Sequence, residues 1–194
     1  MSRKFSDLRL ACPFGSAEEF RALMERARSF GFKLVAVPLE PGVPRQKIRE
    51  LRELAEEVGL DFASRTDLEA GGRRELLTAL RKLRRKFELI GVVCRDKQVA
   101  RVAARDRRVD LLLFPLEPGK RFFDEAEAEL ASGSNCALEI ELMPIFKLDR
   151  WMRIRLLARI REEIATAKDY GVPVVVSSGA REPILMRRPR ELAY

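Results

Sequence analysis

The stretch that decides the fold spans residues 87–112 and reads FELIGVVCRDKQVARVAARDRRVDLL. It opens with an apolar run at Leu89–Cys94, continues with a helical pattern over Lys97–Arg107, and returns to an apolar run from Asp110. Apolar runs of strand length on either side of a helix are typical of parallel strands joined by a crossover. This segment therefore predicts a β-α-β unit.

The same alternation extends along the whole chain. Seven apolar runs of strand length alternate with segments whose apolar residues recur every three or four positions. The predicted strands are Phe5–Cys12, Lys33–Leu39, Leu60–Ser64, Leu89–Cys94, Asp110–Leu116, Cys136–Ile145 and Val172–Ser178. The predicted helices are Ser16–Phe30, Pro44–Val58, Glu75–Phe87, Lys97–Arg107, Phe122–Ala131 and about Leu148 to Tyr170.

This order predicts an α/β fold with a parallel sheet, either a barrel or an open doubly wound sheet. A dinucleotide-binding open sheet would carry Gly-x-Gly-x-x-Gly after its first strand, and that motif is absent. We therefore predict an incomplete TIM-type barrel with about seven parallel strands, because 194 residues are just below the usual length of the complete fold. With no linker or low-complexity stretch, residues 1–194 are predicted to form a single domain.

Composition excludes several classes of enzyme. The chain has no histidine, so a Ser-His-Asp or Cys-His arrangement and a His-ligated metal site are impossible. Cys12, Cys94 and Cys136 are far apart and odd in number, which supports neither a disulfide framework nor a zinc site. The N-terminus MSRKFSDLRL lacks the apolar core of a signal peptide, and no apolar run is long enough for a membrane span. We expect a cytoplasmic protein that binds no membrane.

The charge balance is basic, with 38 Lys and Arg against 30 Asp and Glu and a net charge of +8. Arginine supplies 29 of these cations, and the chain has one Asn and two Gln. Few thermolabile amides with many ion-pairing residues favour a thermophilic source. A GC-rich genome would also raise the arginine content, so arginine alone does not indicate nucleic-acid binding.

Two carboxylates lie in the sixth predicted strand. Glu139 and Glu141 alternate and so face the same side, which is typical of an acid/base pair or a divalent metal site. The alternative is a buried Glu–Arg network that includes Arg65, Arg95 or Arg181. We favour the network, because no histidine or nearby third carboxylate completes a site. Ser177–Ala180, at the end of the seventh strand, fits either a phosphate-binding turn or a tight turn without ligand.

Basic residues cluster rather than spread evenly. On the third helix they occupy the face opposite Leu76, Leu80, Leu83 and Phe87, and they lack acidic partners at i,i+4. This segregation favours a structured nucleic acid held by its backbone. The predicted nucleic-acid-binding residues are Arg65, Arg95, Lys97, Arg105, Arg181, Arg187 and Arg188, most of them expected on one rim of the barrel. In the alternative, Arg65 and Arg95 face inward, Arg187–Arg190 is a solvated tail, and the outer helical faces at Arg81–Lys86 and Arg101–Arg108 bind the nucleic acid.

Several segments together resemble one family, the archaeal ribonuclease P protein component 3, a relative of the thirty-kilodalton eukaryotic ribonuclease P subunit. The resemblance covers almost the whole chain. It is carried, in this order and spacing, by FSDL (5–8), SRTDL (64–68), FELIGVVC (87–94), AARDRRVDLL (103–112), LEI (138–140), VVVSSGA (174–180) and LMRRPR (185–190).

The resemblance implies a barrel related to polymerase-and-histidinol-phosphatase phosphoesterases, whose first strand carries metal-ligating histidines. The corresponding stretch here, Asp7–Leu10, has none, so the resemblance implies that the metal site is lost. It also implies a noncatalytic subunit that binds ribonuclease P RNA together with the ferredoxin-like component 2. The RNA would cleave the 5′ leader from precursor tRNA, with Mg²⁺ on the RNA and no cofactor on this chain. Members of the family usually continue beyond Arg-x-Pro-Arg, so C-terminal elements are expected to be missing here.

Two other functions remain open at this point. One is a divalent-metal-dependent phosphoesterase that uses Asp7, Glu139 and Glu141, which the missing histidines disfavour. The other is a scaffold whose basic face meets an acidic protein.

Overall fold

The computed structural model describes residues 4–11 and 16–192. Over these ranges it has seven strands: β1 (Phe5–Asp7), β2 (Phe32–Pro38), β3 (Asp61–Leu68), β4 (Leu89–Val93), β5 (Leu111–Leu113), β6 (Ala137–Glu141) and β7 (Val174–Ser177). The helices are α1 (Ala17–Ser29), α2 (Arg45–Val58), α3 (Arg73–Leu83), α4 (Lys97–Arg105), α5 (Glu125–Ser132), α6 (Leu142–Phe146), α7 (Arg150–Asp169) and α8 (Pro189–Leu192). Short 3-10 helices lie at Pro118–Lys120 and Pro183–Leu185. Cys12 lies outside the described residues, and residues 8–11 follow β1 without being part of the strand, so the first predicted strand was too long.

The strands form one sheet in sequence order, from β1 to β7. Each pair with a resolved register is parallel, as in β4–β5, where Gly91 faces Leu111, and β5–β6, where Leu112 faces Leu138. Consecutive parallel strands with helices between them are what successive crossovers produce. The predicted fold class, α/β of the TIM-barrel type with seven parallel strands, is confirmed.

The bounds of the predicted strands differ from the observed ones, and for two strands the difference changes where site residues lie or which elements form. β3 continues to Leu68. Pro38 of β2 pairs with Arg65, and the Leu39 N–H donates to the Arg65 carbonyl at 2.8 Å. Arg65 therefore lies within the strand and not after it. The sixth predicted strand, Cys136–Ile145, was too long: the strand ends at Glu141 and its last apolar residues form α6.

The chain groups into two compact units, and each has its own core. The first comprises Met1–Thr66, Glu141–Met143 and Val176–Tyr194. There, Ser16 caps α1 by accepting from the Glu19 N–H, and the helix buries Phe20, Leu23 and Met24. The Phe20 ring meets Phe62 of β3 edge to face, 6.2 Å between centroids.

The second unit comprises Asp67–Ile140 and Pro144–Val175. Its buried residues include Leu76 and Leu80 of α3, and Val99 and Ala103 of α4. Asp96 caps α4, since its side chain accepts from the Val99 N–H at 2.8 Å. Within the described residues, no helix has both the length and the apolar composition that crossing a membrane requires.

Candidate nucleic-acid interface

Helix α3 separates apolar from basic side chains. Leu76, Leu80 and Leu83 are buried, whereas Arg74, Arg81 and Lys82 are exposed. The predicted basic face opposite the apolar residues is confirmed for this helix. Arg81 and Lys82 also lie in its last turn, where cations interact favourably with the negative end of the helix dipole.

A cavity of about 330 Å³ lies between α3 and α4, and three arginines line it. Arg73 comes from the first turn of α3, Arg105 from the end of α4, and Arg107 from the turn that follows. The lining also includes the carboxylate of Asp106, but Arg108 holds it through Nε at 2.9 Å and Nη2 at 2.6 Å. These hydrogen bonds keep the pKa of the Asp106 carboxyl below its usual value, so the carboxylate stays ionised and bound to Arg108.

The exposed cations of these two helices form what we call the α3–α4 basic surface: Arg73, Arg74, Arg81, Lys82, Arg105 and Arg107. Within residues 4–11 and 16–192, none of the six forms an ion pair with a carboxylate. Other cations of the same unit are paired, as Arg84 is with Asp110 and Arg101 with Glu127. The surface thus carries six positive charges without a carboxylate ion pair among the described residues, although Arg105 also acts on the nearby Asp106 and helps to lower its pKa.

The two cations that precede Arg105 at four-residue spacing along α4, Lys97 and Arg101, are paired with carboxylates. Lys97 donates to Asp124 at 2.7 Å, and Arg101 lies 3.2 Å from the buried carboxylate of Glu127. Burial, together with the neighbouring Asp124, raises the pKa of Glu127 to about 7. The hydrogen bonds from Glu127 and Lys97 lower the pKa of Asp124. These four groups tie α4 to α5.

Three of the predicted RNA-binding residues lie in the second unit. Arg105 belongs to the α3–α4 basic surface. Arg95 is exposed and pairs with Glu69, and Lys97 is exposed and pairs with Asp124. Each of these two positive charges is partly balanced by its carboxylate partner.

The other four lie in the first unit. Arg65 is fully buried and its Nη1 donates to the Leu8 carbonyl at 2.6 Å, so the structure places it inward, as in the alternative stated above. Arg181 and Arg187 are exposed, and Arg187 donates to the Met186 carbonyl. The exposed Arg188 lies over the Phe30 ring, 5.5 Å from its centroid. Because the seven residues divide between two units, their gathering on one rim stays a prediction.

The carboxylates of the alternative phosphoesterase site are engaged by the protein. Asp7 is buried and accepts from the Ser178 N–H at 3.1 Å, while Glu141 lies 3.3 Å from Arg9. Glu139 is buried in β6. Among the described residues, no group of three or more Asp, Glu or Cys side chains is arranged to hold a metal ion.

The turn at Ser177–Ala180 is packed rather than open. Gly179 has φ of +66°, and a Cβ at this position would overlap the Glu141 side chain. The Gly179 N–H donates to the Arg9 carbonyl at 3.0 Å and the Ala180 N–H to Ser178 Oγ at 3.1 Å. With these amides occupied, the structure favours the tight turn over a phosphate-binding turn.

Comparison with known proteins identifies the family. The family model described as RNase P subunit p30 matches residues 4–194. The chain belongs to the RNase P subunit p30 family. The phosphoesterase alternative is not favoured, and the predicted resemblance is confirmed.

Curated relatives of this RNase P subunit p30 chain are named ribonuclease P protein component 3. The protein of Methanopyrus kandleri is 30% identical over 149 residues, which cover 76% of this chain and 60% of the relative. That of Halorubrum lacusprofundi is 29% identical over 143 residues, covering 74% of this chain and 59% of the relative. That of Methanocaldococcus jannaschii is 27% identical over 150 residues, covering 76% of this chain and 64% of the relative. The chain thus spans roughly three fifths of the aligned relatives' length.

A solved structure confirms the fold. A chain in the cryo-EM structure of archaeal ribonuclease P with mature tRNA superposes with a TM-score of 0.82, covering 96% of this chain and 79% of that one. Their sequence identity is 22%, so the likeness concerns the fold. A truncated 3-deoxy-D-arabino-heptulosonate 7-phosphate synthase from Thermotoga maritima gives a TM-score of 0.51 at 20% identity.

Sequence reasoning found Arg105 but missed the cavity that it shares with Arg73 and Arg107. No local pattern indicates it, because Arg73 begins α3 and Arg107 lies two residues beyond the end of α4. Only the packing of the two helices brings residues 32 or more positions apart into one cavity.

Proposed function

We propose that this chain is a noncatalytic protein subunit of ribonuclease P. In this function it binds ribonuclease P RNA together with the ferredoxin-like component 2 and supports removal of the 5′ leader from precursor tRNA. Family membership supports the assignment, and so does the fold shared with a chain of archaeal ribonuclease P with mature tRNA. The catalytic step belongs to the RNA, which fits a chain without histidine.

The observation that carries RNA binding is the α3–α4 basic surface. Six cations without a carboxylate partner repel one another, and a polyanion relieves that repulsion while it releases its own counterions. Five of the six are arginines, whose planar guanidinium can donate two hydrogen bonds to the oxygens of one phosphate. The predominance of arginine therefore favours a phosphodiester backbone as the ligand.

The cavity between α3 and α4 gives this surface a centre. Arg73, Arg105 and Arg107 line it together, and Arg73 is the first residue of α3, whose N-cap Gly72 offers no side chain to the backbone N–H groups of the first turn. Positive charge at the start of a helix opposes the helix dipole, and an anion bound there removes that penalty. We propose that a phosphate of the RNA binds at this point.

The remaining predicted residues take secondary roles in this proposal. Arg181, Arg187 and Arg188 are exposed cations of the first unit and are proposed to contact the same RNA. Arg95 and Lys97 are proposed to contribute less, because a carboxylate partner already balances part of each positive charge. Arg65 is left out of the interface because it is buried.

A three-arginine variant tests the proposal. Arg73→Ala with Arg105→Ala and Arg107→Ala should weaken binding to ribonuclease P RNA and reduce precursor tRNA cleavage by the reconstituted enzyme at limiting protein. A matched control removes three exposed cations that pair with carboxylates, Arg21→Ala, Lys47→Ala and Lys120→Ala. The control loses the same charge and should bind RNA nearly as the parent does. Equal losses in both variants would contradict a specific surface, and no RNA binding by the parent would contradict the proposed function.

A further inference from the structure

Helix α7 carries apolar side chains on two opposite faces. Its inner face buries Leu156, Ile160 and Ala167. Its outer face leaves Trp151 76% exposed, Ile154 50% and Leu157 46%, and Ile164 is also exposed. The spacing of Trp151, Ile154, Leu157 and Ile164 is three, three and seven residues, which places them along one side of a helix.

Helix α7 is held firmly in this orientation. Asp149 caps its start, and its side chain accepts from the Trp151 and Met152 N–H groups at 2.9 and 3.0 Å. On the inner face, the fully buried Glu163 binds Arg121 through Nε at 3.0 Å and Nη2 at 2.5 Å. The outer apolar residues therefore cannot turn inward without breaking a buried ion pair.

The outer face is also basic. Arg150, Arg161 and Lys168 are exposed and lie at helical spacing among the apolar residues. Of the nearby acids on this helix, Glu162 pairs with Arg159 at 2.9 Å and Glu163 is buried. We call Trp151, Ile154, Leu157 and Ile164, with Arg150, Arg161 and Lys168, the outer stripe of α7.

Exposed apolar groups that are contiguous and rimmed by polar ones mark interaction sites. We propose that the outer stripe of α7 is the docking surface for a protein partner whose apolar patch is edged by carboxylates. The carboxylates meet Arg150, Arg161 and Lys168, and the apolar patch covers Ile154 and Leu157. The proposal rests on the proposed function, because component 2 of ribonuclease P is the partner used to test it.

The charge and chemistry of the stripe exclude two other occupants. A second copy of this chain would set Arg150, Arg161 and Lys168 against the same cations, in a protein whose net charge is +8. RNA would leave Ile154, Leu157 and Ile164 in contact with charged phosphates, and one tryptophan offers a single stacking surface. A protein surface can supply apolar and acidic groups together.

Calorimetric titration of component 2 into the parent chain and four variants tests the proposal. Ile154→Glu with Leu157→Glu should weaken the affinity about 30-fold or more, which is the loss typical of an interface hot spot. Arg161→Glu reverses one exposed charge and should weaken the affinity for component 2 by about tenfold. Arg161→Lys keeps the positive charge and should retain most of the parent's affinity. The control Ile184→Glu changes another exposed apolar residue, in the first unit, and should bind as the parent does.

RNA binding is measured in the same variants, so that failure of the docking surface can be distinguished from failure of the proposed RNA-binding function. The stripe variants should keep the parent's affinity for ribonuclease P RNA. Unchanged binding of component 2 to folded stripe variants would overturn the docking surface and leave the RNA-binding function standing. Parent chain that self-associates through the stripe, or stripe variants that lose RNA and not component 2, would also overturn it. A parent that fails to bind component 2 would contradict both the docking surface and that partner in the proposed function.

Discussion

Helices α3 and α7 belong to the same unit and both are rich in arginine, yet their outer faces differ. The outer face of α3 is basic without large apolar groups, whereas that of α7 sets arginines among tryptophan, isoleucine and leucine. Arginine on a face with no apolar neighbours fits a polyanion, and arginine beside aliphatic groups fits a protein. The difference teaches that the neighbours of a cation, and not its charge alone, indicate the ligand.

The largest expected effect comes from a substitution on the inner face of α7. Glu163→Ala removes the buried partner of Arg121 and leaves an uncompensated charge, so we expect the free energy of unfolding to fall by about 3–5 kcal/mol. Denaturant titration measures this. The adjacent Glu162→Ala, at an exposed i,i+3 pair, should cost less than about 0.5 kcal/mol. Similar small losses for both variants would show that the two faces of α7 are wrongly assigned.

A second test compares leucines on the two helices. Leu80→Ala, on the buried face of α3, should destabilise the protein by about 2–5 kcal/mol because it leaves a cavity. Leu157→Ala, on the half-exposed outer face of α7, should cost under about 1 kcal/mol in the isolated chain. Thermal melts of the two variants decide this, and a large loss for Leu157→Ala alone would mean that the outer stripe is already covered by the chain itself.

The smallest expected effect is the pH dependence that Glu127 imposes on α4. Its folded-state pKa of about 7 lies above the ordinary glutamate value of 4.5, so the folded protein holds a proton that the unfolded chain releases between these values. Its stabilising contribution is full below about pH 4.5 and is lost as the pH rises through about 7. Glu127→Gln should flatten the stability profile between pH 5 and pH 7.5. An unchanged profile would contradict the raised pKa.

The fold was largely predictable from the sequence because its signal is periodic and local. The alternation of apolar runs and helical patterns predicted seven strands and six of the helices in the observed order, but the first, fifth and sixth strands were predicted too long. α6 was missed because its sequence LMPIF continues the apolar run of β6. Periodicity cannot show whether such a short apolar segment is a strand or a helix.

The candidate sites were less predictable because they depend on which side of an element is covered. Arg65 follows an apolar run and looked like a strand-end residue, but extension of β3 makes it a buried strand residue. In α7 the sequence offers two apolar faces, and only the structure shows that Ile160 is buried while Ile154 is exposed. The cavity of Arg73, Arg105 and Arg107 needs two packed helices and so has no local sequence signal.

The central claim is that the α3–α4 basic surface binds RNA and the outer stripe of α7 binds a protein. Its most direct test is the salt dependence of binding to ribonuclease P RNA. Each phosphate contact contributes about 0.7–0.9 to the slope of log affinity against log salt concentration. Arg73→Ala with Arg105→Ala and Arg107→Ala should therefore reduce the slope by about 2 to 3, while Ile154→Glu with Leu157→Glu leaves it near the parent's value. Equal slopes for the parent and the three-arginine variant, or an equal reduction in both variants, would contradict the assignment of RNA to the α3–α4 basic surface.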